Sequence, residues 1–108
     1  MNAPYAPATA DELLHALARL DGAMLLVVRR AGQGCGPDCE RHLDAASRGL
    51  RALLGSDAGD VVTDVIDAAR RVLTAADPGA PLLMLTMARQ TLATLVHRHA
   101  ARATRQVA

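Results

Sequence analysis

Phenylalanine, tryptophan and lysine are absent from this chain, and its only aromatic residue, Tyr5, sits in an Ala/Pro-rich start. Any core must therefore be assembled from Leu, Val, Met and Ala. Those residues suit close helix packing, whereas sheets draw on β-branched and aromatic side chains. The only two cysteines, Cys35 and Cys39, are too close in sequence to staple a fold across long loops. Glutamate is nearly missing as well, with Glu12 and Glu40 alone. Glu12-x-x-His15 has the spacing of half a di-iron site, but the inward carboxylates from four helices that such a centre requires are not there.

Charge of one sign is lacking too. A net charge of +1 gives no global electrostatic attraction to nucleic acid or to an acidic membrane. The longest apolar runs, 23–28 and 80–88, fall far short of the roughly 18 residues of a membrane span. The start has neither a basic n-region nor an apolar h-region, so the expected location is cytoplasmic, where thiols stay reduced unless they bind metal or cycle.

What remains is strongly helical. The chain of 108 residues is long enough for one core and too short for a core plus a deep walled cleft. Four stretches carry apolar residues at three- and four-residue spacing, with acids near their starts and arginines near their ends, as the helix dipole favours. Thr9-x-x-Glu12 is a capping box that opens the first stretch. Leu13, Leu17, Leu20, Met24 and Val28 then form its stripe, which keeps phase across Asp21-Gly22. Pro37 suits the first position of a second helix, which Gly55 ends. Asp77-Pro78-Gly79 separates the third and fourth. The expectation is an all-α, antiparallel four-helix bundle, with helices at about 9–31, 37–54, 57–76 and 81–105, forming one domain over 9–108 after a flexible leader at 1–8. The competing reading takes 23–29 and 82–87 as strands of a small sheet. The segments are short for that, and the third helix falls where further strands would be needed.

One short cluster points to chemistry. Cys39 and His42 are three apart on one helical face, and Cys35 lies in the loop before them, so three donors suited to zinc are close in sequence. A closed zinc site needs a fourth ligand. Short connections put His15, His97 and His99 at the opposite end of the bundle, leaving Asp38, Glu40 or Asp77, or ligands pooled between two chains. The same two thiols also allow redox cycling. Their three-residue spacer departs from Cys-x-x-Cys, however, and no βαβ pattern accompanies them. Arg98, Arg102 and Arg105 form a basic stripe on the last helix, without the interleaved aromatics of a nucleic-acid surface.

An apolar excess is the more informative signal. The runs Ala23–Val28 and Leu82–Met87 are apolar nearly all round, beyond what one buried stripe needs, and both map to one end of the bundle. The expected function is a small non-catalytic interaction protein, an assembly factor, adaptor or regulatory subunit. It would bind a protein partner or self-associate through Leu25, Leu26, Val27, Leu82, Leu83, Met84 and Met87. The alternative is a thiol- or zinc-dependent regulator built on Cys35, Cys39 and His42.

Overall fold

The computed structural model describes residues 8–107, so the expected leader lies, Ala8 apart, outside the described residues. Ala8 itself is half-buried and packs against the core. Four α-helices follow: α1 (Ala10–Arg29), α2 (Pro37–Leu54), α3 (Gly59–Thr74) and α4 (Gly79–Val107), with a single 3-10 turn at Ser56–Ala58. No strand occurs among the described residues. The two apolar runs are helix, and α1 passes through Asp21-Gly22 without a break.

Each boundary has a local cause. The capping box forms, with the Glu12 N–H donating to Thr9 Oγ1 at 3.1 Å and the Thr9 N–H donating to Glu12 Oε1 at 3.2 Å. Two free donors of the first turn are thereby satisfied. Pro37 occupies the first turn of α2, where its missing N–H costs nothing. The Asp77 carboxylate accepts from the Gly79 N–H at 3.2 Å, so α4 starts at Gly79 rather than 81. The expected start of the third helix moves from 57 to 59 because Ser56–Ala58 is wound more tightly, as 3-10 turn.

The helices run up, down, up and down. α1 packs on α2 and α4, and α3 packs on α4 and less extensively on α2. Buried Leu13, Leu17, Leu20, Met24 and Val27 supply the α1 side of one continuous core, alternating steps of four and three. Val27 is thus a correction on two counts. It replaces Val28 in the buried stripe and is fully buried rather than available as an interface residue. The reason is phase: Val27 falls on the side of the stripe that buried Ala23 also occupies, and Val28 falls on the side of exposed Leu14 and Leu25. The same alternation gives Leu43, Ser47, Leu50 and Leu54 in α2, and the buried Ser47 hydroxyl donates to the Asp44 carbonyl at 3.0 Å. Arg70 to Glu40 at 3.2 Å ties α3 to α2, and Arg89 to Asp21 at 3.1 Å ties α4 to α1.

The molecule measures 52 × 25 × 20 Å. At 1.5 Å per residue α4 is about 43 Å long and α3 about 24 Å, so the last turns of α4 outrun its neighbour.

Candidate functional site

The end where α1 stops and α4 starts holds both features singled out in the sequence, the cysteine loop and the apolar runs. The loop over 30–36 crosses the carboxyl end of α3. The Gly32 N–H donates to the Val72 carbonyl at 2.9 Å, and the Gly34 N–H donates to the Leu73 carbonyl at 2.7 Å. Both carbonyls belong to the last turn of α3, where the helix itself offers no donor. Gly32 and Gly34 have φ of +77° and +85°, which turns two successive donors onto one helix end at no steric cost to glycine. The cysteine loop is therefore a cap for α3, a role that the spacing of Cys35, Cys39 and His42 did not disclose. The signal for it was the Gly32-x-Gly34 pair, two glycines whose partner lies about 40 residues further along the chain.

Cys35 and Cys39 are neighbours, both partly buried against the core and both free thiols. Burial, then the adjacent Cys39 and Glu40, push the Cys35 thiol from 9.0 up to about 12. The thiolate is the nucleophile and the metal ligand, so Cys35 is held in its unreactive form at neutral pH. The two nearby carboxylates are engaged elsewhere. The Asp38 carboxylate pairs with Arg41, and that of Glu40 pairs with Arg70. His42 Nδ1 lies 2.8 Å from the Asp38 carbonyl oxygen. A carbonyl only accepts, so Nδ1 carries the proton, and in the neutral ring Nε2 is the acceptor. Cys39 and His42 line one small pocket of about 210 Å³, together with Ala23, Leu26, Arg30, Asp38 and Leu43. Among the described residues, no three His, Cys, Asp or Glu side chains gather as a metal site. Asp77, considered as a fourth ligand, is occupied in capping α4.

The apolar runs divide cleanly. From the first, Ala23, Met24 and Val27 are buried, whereas Leu25 is 56% and Leu26 41% exposed. From the second, Leu85 is buried and Leu82 half-buried, whereas Leu83, Met84 and Met87 are 65%, 49% and 61% exposed. Val28, absent from the expected set, joins them at 41%. Leu26 faces the α1–α2 groove and lines its pockets. Met84 and Met87 border the α3–α4 groove with Asp64, Asp67 and Arg71. Large apolar side chains exposed singly are ordinary; several at one end of a small molecule are not.

No helix among the described residues is long and apolar enough to cross a membrane. Comparison with known protein families, curated proteins and solved structures finds no match for this chain.

Proposed function

We propose that this chain is a non-catalytic interaction protein that engages a protein partner, or a copy of itself, through the apolar end formed by the last turns of α1 and the first turns of α4. The observation that carries this reading is the exposure of Leu25, Leu83, Met84 and Met87 at that one end, each about half exposed or more while the bundle core beneath them is already complete. Fully burying such a side chain contributes on the order of 1.5–3 kcal/mol, and because each is about half exposed the isolated chain leaves roughly half of that driving force unused. Two of the four are Met, whose flexible thioether adapts to a partner's shape.

Native mass spectrometry of protein purified without a metal-affinity tag tests this, alongside Leu25→Glu and Leu83→Glu. Both positions are on the surface, so helical content by circular dichroism should be retained. The expected result is an assembly in the parent that both variants disperse. Variants that assemble like the parent would show that this end is no interface. The same spectrum weighs the alternative: zinc retained at fixed stoichiometry and lost in Cys39→Ser would move the function to Cys35, Cys39 and His42.

A further inference from the structure

The α3–α4 face of the bundle is self-complementary. α3 presents Asp60, Asp64 and Asp67 at i, i+4 and i+7, all exposed, and α4 presents Arg98, Arg102 and Arg105 at the same spacing, also exposed. Neither set makes an ion pair among the described residues. Asp64 and Asp67 lie at a different height on this face from the arginines, because they are level with Met84 and Met87 near the opposite end of α4. Within one chain the two stripes do not meet.

From this we infer that the partner at the apolar end is a second copy of the chain, related by a two-fold axis that lies in the plane of the α3–α4 face at right angles to the helices. The inference rests on the interaction reading above and names its occupant. Such an axis lays the second α4 antiparallel to the first and parallel to α3. Centred near Thr94, it sets residues four and eight beyond the centre level with residues four and eight before it. Arg98 and Arg102 of the second copy then stand beside Asp64 and Asp67. By the same register Leu83 and Met87 lie over the Arg105 stem and Ala101 of the second copy, so the exposed apolar residues meet a small residue and an aliphatic stem. Every contact occurs twice, as an isologous interface requires.

The available area is adequate. With helices about 10 Å across, the lengths of α3 and α4 give a face of roughly 700 Å² per protomer, close to the ~800 Å² of a stable interface. The charges set register and orientation more than affinity, and the apolar end supplies the affinity.

Sedimentation equilibrium of the full chain, with a reciprocal charge exchange, tests the inference. Arg102→Asp and Met87→Glu should each weaken dimerisation at least about tenfold. The double variant Arg102→Asp with Asp67→Arg should recover most of the loss from Arg102→Asp, a restoration that no change in folding stability alone would produce. A parent that remains monomeric at the highest concentration attainable overturns the inference. A dimer that Leu83→Glu disperses but the charge exchange does not restore overturns the two-fold register and leaves the interaction reading standing. A dimer indifferent to Leu83→Glu and Met87→Glu removes both.

Discussion

Replacing Gly32 by alanine isolates the energetic role of the cysteine loop as a cap on α3. At φ +77° an L side chain costs about 1–2 kcal/mol. The lost flexibility of the unfolded chain returns about 0.4–1 kcal/mol. The added Cβ would also lie 3.2 Å from the Ala75 carbonyl oxygen, a backbone atom that yields only by moving the loop or the helix end. That displacement loosens the Gly32 N–H bond to Val72, for about another 1 kcal/mol. The net loss is about 2 kcal/mol, which for a domain of this size lowers Tm by roughly 8 °C. Two controls separate the terms. Gly34→Ala carries the φ penalty, at +85°, with nothing within 4 Å of the new Cβ, and should lose about half as much. Gly22→Ala sits inside α1 with the same open space, and should stabilise by about 0.5–1 kcal/mol. Urea unfolding followed by circular dichroism at the helical band reads all three. A Gly32→Ala midpoint at or above that of Gly34→Ala would refute the close approach as the cause, and a destabilised Gly22→Ala would refute the assignment of that glycine to uninterrupted helix.

Leu50→Ala removes a fully buried side chain from the centre of α2 and should cost about 2–5 kcal/mol; a loss within about 0.5 kcal/mol in the same urea assay would mean that α2 is not packed on the core as described. The raised thiol pKa gives Cys35 a signature in pH. Because the folded state holds this proton to about pH 12 and an ordinary thiol releases it near 9.0, its contribution to stability is present below pH 9.0 and lost as pH climbs toward 12. Cys35→Ser should flatten that alkaline decline. Iodoacetamide should modify Cys39 well before Cys35 at pH 8, and peptide mapping that finds Cys35 alkylated first would contradict its burial beside Cys39 and Glu40.

Much of this architecture was legible because it is local. Thr9 and Glu12, Pro37, Gly55 and Asp77 mark helix ends through contacts within a few residues, and the capping box, the start of α2 and the break before α4 are where the sequence places them. The apolar excess at 23–28 and 82–87 was also legible, since a run apolar on every side overfills any single stripe. Less legible was which member of the run is buried. Val27 and Val28 are equally apolar, and only the direction of the neighbouring helices makes one core and the other surface. The chemistry of the cysteine segment was legible least, because residue type and spacing show which donors are near in sequence but not what else engages them.

By itself, then, the sequence determined four amphipathic helices, their order, their breaks and the end at which apolar residues accumulate, all consequences of periodicity and capping over three or four residues. Only the tertiary structure decided that the 30–36 loop caps α3, that Arg70 draws off the carboxylate of Glu40, and that acidic and basic stripes of equal spacing share one face without meeting. Those are contacts between segments tens of residues apart, fixed by how the helices pack against one another and invisible to any local pattern.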